Sequence, residues 1–206
     1  MKQVTFTLLA ILLCAHSFAQ DGTEKSQYKK PKNESSGRPP VLYITTSTGI
    51  NNNTGLVGVG IDVPVGPKLL LGAGAGIGTW GDKIYIGGKY FLMPGHTGWA
   101  FGGGVTHNSG LQNFTDNLET VYGNTEQVTL NLNAQTNVFL AAYRYWSIGR
   151  KRINKFYLEL GWSVPLTGDR FDQTDGDPIS SNSTATMNLL SPGGIIVGAG
   201  FSFGVR

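Results

Sequence analysis

Residues 68–80 read KLLLGAGAGIGTW, and within them Leu71, Ala73, Ala75 and Ile77 alternate with Gly72, Gly74, Gly76 and Gly78. Strict period-two alternation marks a β-strand with two unlike faces. A soluble β-domain buries large side chains on one face and sets Lys, Glu and Thr on the other; here the second face is glycine. The contrast recurs in residues 56–65, where Gly58 and Gly60 oppose Val57, Val59 and Ile61. A glycine face suits a crowded, narrow interior, and an apolar face opposite it suits lipid. That is the arrangement of a small closed membrane barrel.

Working outward, the chain divides into eight period-two segments bounded by turn residues, near 41–50, 56–65, 68–80, 83–93, 98–108, 127–146, 155–166 and 193–206. In the last, Ile195, Val197, Ala199, Phe201, Phe203 and Val205 share one face, with Gly198, Gly200, Ser202 and Gly204 on the other. In the seventh, Phe156, Leu158, Leu160, Trp162 and Val164 alternate with Tyr157, Glu159, Gly161 and Ser163. The sixth sets Val128, Leu130, Leu132, Ala134, Val138 and Leu140 against Asn131, Asn133, Gln135 and Asn137, and a bulge in it would change the faces of Tyr143, Arg144 and Tyr145. The fold expected is all-β: an eight-stranded antiparallel transmembrane β-barrel over 41–206. A soluble secreted β-protein is the alternative that the same periodicity allows.

Composition agrees. At 206 residues with 40% hydrophobic, 14% charged and 11% aromatic positions, the chain is one domain rather than a disordered polymer. Its one long apolar run lies at the N-terminus, which excludes a bundle of membrane-spanning helices. Met1-Lys2-Gln3, an apolar stretch from Phe6 to Ala15, and Ser17-Phe18-Ala19 before Gln20 form a cleaved N-terminal signal peptide over 1–19. Cys14 follows Leu13, where a lipoprotein signal needs a small residue, and it leaves with the signal, so no disulfide or thiol chemistry is expected in the mature chain. The formal net charge is +3, or +2 once Lys2 is removed, too balanced for a nucleic-acid binder. Residues 20–40 hold no apolar run and end in Pro39-Pro40, as a flexible periplasmic tail would.

Connection lengths sort by side. With the tail in the periplasm, the inner connections are short: 64–67, 93–98 and a turn near 147–155. Two outer ones, near 109–126 and 167–192, are long, which is the asymmetry of outer-membrane barrels. The long loops carry Asp116, Glu119, Glu126, Asp169, Asp172, Asp175 and Asp177 against Arg170 alone, and Arg150, Lys151, Arg152 and Lys155 gather on the inner side. Trp80, Trp99 and Trp146 lie near strand ends, where an interfacial girdle would put them.

On these features the chain resembles the small outer-membrane β-barrel proteins of Gram-negative bacteria, the eight-stranded group that includes the OmpA transmembrane domain and OmpX. The resemblance covers roughly residues 41–206 and implies a cell outer membrane location within the cell envelope. It also implies contact with outer-membrane lipid and lipopolysaccharide, and insertion by the outer-membrane assembly machinery through the C-terminal strand. That strand, GIIVGAGFSFGVR, has the alternating apolar positions of such a signal, with Phe201 and Phe203, but ends in Arg206 instead of an aromatic. No periplasmic peptidoglycan-binding domain, no nucleic acid and no cofactor are expected, and the oligomeric expectation is a monomer.

Three ionisable residues fall on the inward face by parity, Asp62, Lys89 and Glu159, and form the expected polar plug of the lumen, either a salt-bridged seal or a gate for ions. Inward Tyr85, Phe91, Phe139 and Tyr157 are candidate fillers, with a cavity for a small apolar ligand as the other use of the inward glycines. His107-Asn108-Ser109 is similar to the His-x-Ser pair of the outer-membrane lipid A deacylases, which implies an exterior acyl-ester hydrolase with a glutamate partner; no glutamate is assigned to that place, Glu119 and Glu126 both falling in a loop. Where that family has Asn after the serine, this chain has Gly110. Asp172, Asp175 and Asp177 are candidate Ca²⁺ ligands, although their spacing is not that of an EF-hand loop. The expected role is therefore non-enzymatic: structural, surface-interacting or porin-like in a limited small-solute sense, with lipid A hydrolysis as the rival.

Overall fold

The structure is a computed structural model that describes residues 39–149 and 152–206. The signal peptide over 1–19, all of the tail but Pro39-Pro40, and Arg150 and Lys151 lie outside the described residues. The elements are β1 (Leu42–Ile50), β2 (Val57–Pro64), β3 (Leu69–Gly78), β4 (Gly81–Phe91), β5 (Gly98–Asn108), β6 (Leu111–Glu119), β7 (Thr125–Leu132), β8 (Gln135–Ile148), β9 (Asn154–Pro165), β10 (Phe171–Asp175), α1 (Ser181–Leu190) and β11 (Gly194–Val205).

Eight of these strands close an antiparallel barrel in the order β1-β11-β9-β8-β5-β4-β3-β2, so the small closed barrel expected from periodicity is present. The seam joins the first and last strands, with Leu42 opposite Val205 and Ile50 opposite Val197. One end of the barrel, the turn end, carries the tight connections 65–68, 92–97 and 149–153. The other, the loop end, carries residues 51–56, 79–80, 109–134 and 166–193.

Barrel strands turn their apolar residues outward. Ile61, Ile86, Phe101, Leu140, Leu160 and Ile195 are exposed, and the matching inward positions are mostly polar, aromatic or glycine, with Leu70, Ala100, Ala141 and Ile196 as buried aliphatic ones. The glycines have a steric reason. A Cβ on Gly74 would lie 2.5 Å from the Tyr85 ring, one on Gly200 would lie 2.6 Å from the Tyr157 ring, and Gly102 and Gly87 stand in the same relation to Tyr143 (3.0 Å) and Phe139 (3.1 Å). Ring atoms sit where a Cβ would stand, which is how an interior barely wide enough for side chains accommodates them. Tyr85, Phe91, Phe139 and Tyr157 are buried inside as fillers.

The sixth segment expected from the sequence, 127–146, is two strands. β7 belongs to a separate three-stranded sheet, β10-β7-β6, and β8 to the barrel, with only Asn133 and Ala134 between them. Val128, Leu130 and Leu132 therefore do not face outward from the barrel. They form the buried core of a cap with Trp80, Leu118 and Met187, packed by Phe114, Phe171 and Ile179. Trp80 is only 2% exposed and meets Phe171 edge-on at 6.4 Å, so it is a cap core residue rather than part of a girdle. The stretches 109–126 and 167–192, read as loops, hold β6, β10 and α1. A register shift between Leu111 and Phe114, at Asn113 with φ of 54°, breaks the alternation that would have marked β6. The helix is a Ser/Thr/Asn-rich stretch of weak propensity, started by the Ser180 hydroxyl accepting from the Ser183 N–H.

Candidate functional site

The inward residues of β1, β2, β4, β8 and β9 meet in the lumen. Lys89 and Asp62 form an ion pair, with Nζ 2.8 Å from Oδ2 and 3.1 Å from Oδ1, and it is the one salt bridge among the described residues. Both partners are buried, Asp62 to 1% exposure. The Lys89 ammonium also lies 5.4 Å from the Tyr143 ring centre and 5.7 Å from that of Tyr157, so aromatic faces complete the desolvation of its charge.

Glu159 does not join that pair. Its carboxylate accepts from the Tyr143 hydroxyl at 2.9 Å, from Asn53 Nδ2 at 2.5 Å and from Asn52 Nδ2 at 3.1 Å. Asn53 Nδ2 also donates to the Tyr143 hydroxyl at 2.8 Å. Tyr143 thus joins the two charged centres, its ring against Lys89 and its hydroxyl on Glu159. Of the three residues expected to meet, two pair directly and the third is held by amides.

Those amides come from the loop end. After β1 the chain turns inward, so that Asn52, Asn53 and Thr54 are buried inside the mouth rather than exposed above it. The hook is braced locally. Asn52 Oδ1 accepts from the Thr54 N–H at 3.0 Å and from the Ser47 hydroxyl at 3.2 Å, and the hydroxyls of Ser47 and Thr54 are 2.5 Å apart. Gly55, at φ of 93° and against the Ile77 carbonyl, makes the return that a Cβ would block. Lys83, also buried, donates to the Asn51 carbonyl at 3.3 Å just below.

At the turn end a second group of side chains turns inward. His96, in the turn after β4, folds under the barrel and packs edge-on against Phe91 at 5.3 Å and Tyr43 at 6.1 Å, with Nε2 2.8 Å from the Gly66 carbonyl. Lys155 points inward instead of joining a basic patch on the surface. Its ammonium donates to the Gly95 carbonyl at 2.8 Å and to the His96 carbonyl, and sits 4.8 Å from the Tyr43 ring centre. Burial first, then the Lys155 charge, hold the His96 imidazole below its ordinary pKa, against the opposing hydrogen bond to Gly66.

Lys83 and Lys155 could have been found by parity alone, since they are in phase with Tyr85 and Lys89 and with Tyr157 and Glu159. The hook carried no such signal, because a loop has no period.

The other candidates lie outside the lumen. His107 and Ser109 are both exposed, but His107 Nδ1 is 2.9 Å from the Thr136 hydroxyl, while the Ser109 hydroxyl accepts from the Asp82 N–H at 3.0 Å and faces the Gly110 carbonyl at 3.2 Å. Glu119 accepts from the Ser180 hydroxyl, and Glu126 from the Asp177 N–H, both within the cap. The Ser109 side borders an open cleft of about 240 Å³ between the cap and the barrel rim. In the cap, Asp172 accepts from Asn133 Nδ2 at 2.9 Å, while Asp175 and Asp177 present backbone carbonyls to Gln173; among the described residues no three acidic or histidine side chains converge. Comparison with protein-family models and with curated proteins finds no match to this chain.

Proposed function

We propose that this protein is an outer-membrane β-barrel with a sealed lumen, whose role is non-enzymatic and is carried by the structured acidic cap at the cell surface. One observation carries the reading: the exposed face of the barrel strands is apolar while the interior holds Asp62, Lys83, Lys89, Lys155 and Glu159. A water-soluble barrel has the reverse polarity, and a continuous exposed apolar surface needs a partner, for which a bilayer has the matching shape. Tyr90, Trp99, Trp146, Phe156, Phe201 and Phe203 ring the turn end, as residues at a membrane interface do. The turn end then faces the periplasm and the cap faces outward. The hook at one mouth and His96 with Lys155 at the other support a barrel that maintains the envelope and presents a surface rather than one that passes solutes.

Fractionation of expressing cells, followed by gel mobility of the membrane fraction with and without boiling, tests the reading. A heat-dependent shift in the outer-membrane fraction is expected, and an unshifted periplasmic protein would overturn it. In planar bilayers the wild type is expected to be silent. Asn52→Ala with Asn53→Ala, which removes the amides from Glu159, is the variant in which current should first appear. An unchanged lipid A acyl pattern on expression, read by mass spectrometry, is expected of a non-enzymatic barrel.

A further inference from the structure

Among the described residues, the outward face of the eight barrel strands carries a single Lys or Arg side chain, Arg144. It lies on β8 toward the turn end, opposite Trp99 of β5. Its guanidinium carbon is 5.4 Å from the Trp99 ring centre and 5.7 Å from that of Trp146, so two indole faces hold it in one place. Beside it, the backbone turns through Gly98 at φ of 82°, leaving the side of the guanidinium free of any side chain from that residue. One strand beyond β5, the Lys68 ammonium stands 6.0 Å from the Tyr90 ring centre, so cation and aromatic alternate along this stretch of the rim.

A cation facing hydrocarbon is costly unless an anion answers it. A guanidinium held over indole rings still offers its N–H edges, the part that recognises phosphate in a fork. No carboxylate of the described residues occupies those edges, since the one ion pair lies in the lumen. The geometry points to a phospholipid site on the barrel exterior, in which Arg144, clamped by Trp99 and Trp146, binds the phosphate diester of a lipid in the turn-end leaflet. The site rests on the membrane reading given above. It selects glycerophospholipid over lipid A because the turn end is the end away from the cap.

The test uses the refolded chain inserted into vesicles of phosphatidylethanolamine and phosphatidylglycerol, then extracted into detergent for native mass spectrometry. The wild type is expected to retain one phospholipid, and Arg144→Met to retain it several-fold less under the same activation. Arg144→Lys, which keeps the charge but loses the fork, should fall between them, and it carries the comparison if the methionine variant does not insert. Millimolar inorganic phosphate should leave the bound lipid in place; displacement by it would overturn a lipid site in favour of a free-anion site. Equal retention in wild type and variants, with a normal heat shift in all, would overturn the site alone. Failure of the wild type to insert would overturn the membrane reading and the site together.

Discussion

β7 and β8 follow one another with two residues between them, and they use the same alternation in opposite ways. In β7 the even-numbered apolar residues Val128, Leu130 and Leu132 are buried under Trp80, Leu118 and Met187. In β8 the even-numbered series continues with Val138 and Leu140, which stand exposed on the barrel, and Leu140 at 71% contrasts with Leu130 at 0%. The apolar face does not change across Asn133 and Ala134; what covers it does. In the cap the cover is protein. On the barrel no part of the described chain covers it, and in the proposed reading lipid does. The interiors differ to match, the cap holding an apolar core and the barrel an ion pair, amides and stacked rings.

The largest effect should come from the barrel interior. Lys89→Met leaves Asp62 buried with its ion-pair partner gone and is expected to cost about 3–5 kcal/mol in denaturant unfolding, with Asp62→Asn added to it recovering most of the loss. If the single variant were neutral, the interior would be wet and open rather than sealed. Next come the two leucines. Leu130→Ala should cost about 2–5 kcal/mol by leaving a cavity, and should expose the cap to protease without removing the heat shift of the barrel. Leu140→Arg should cost about 2–4 kcal/mol in vesicles if that face meets hydrocarbon, but within about 0.5 kcal/mol if it meets water.

Smaller changes sharpen the inside against the outside. Gly200→Ala forces a methyl against the Tyr157 ring and is expected to cost about 1–3 kcal/mol, whereas Ala73→Val on the exposed face should be nearly neutral. The smallest expected effect is the pH response of His96 at the turn end. Because burial lowers the folded-state pKa of His96, the unfolded chain takes up the proton first as pH falls. Stability from this group is complete above the unfolded value, roughly 6.5, and declines below it. His96→Asn should flatten that slope between neutral and mildly acidic pH.

Much of the barrel was legible because its signal is periodic. The faces read from Leu71–Gly78, Phe156–Val164 and Ile195–Val205 are the faces the structure shows, and Asp62, Lys89 and Glu159 lie inside as parity placed them. The cap was not legible. β10 is too short to show a period, β6 is broken at Asn113, and α1 is built from residues with little helical preference. Val128 to Leu132 shows a deeper limit: alternation reveals that a strand has an apolar face, but not whether protein or lipid covers it. The hook escaped for a related reason, since nothing local distinguishes an Asn-Asn-Thr that turns into a lumen from one that meets water.

The chain's four tryptophans allow that limit to be tested directly. Trp99, Trp146 and Trp162 are exposed on the barrel, while Trp80 is buried in the cap. Variants that each keep a single tryptophan would be inserted into vesicles, and their fluorescence quenched in turn by brominated phospholipid and by aqueous iodide. Strong quenching of the three barrel tryptophans by the brominated lipid and little by iodide is expected, with Trp80 resisting both. Quenching of Trp99, Trp146 and Trp162 by iodide but not by brominated lipid would place the apolar face of the barrel in water and rule out a membrane barrel.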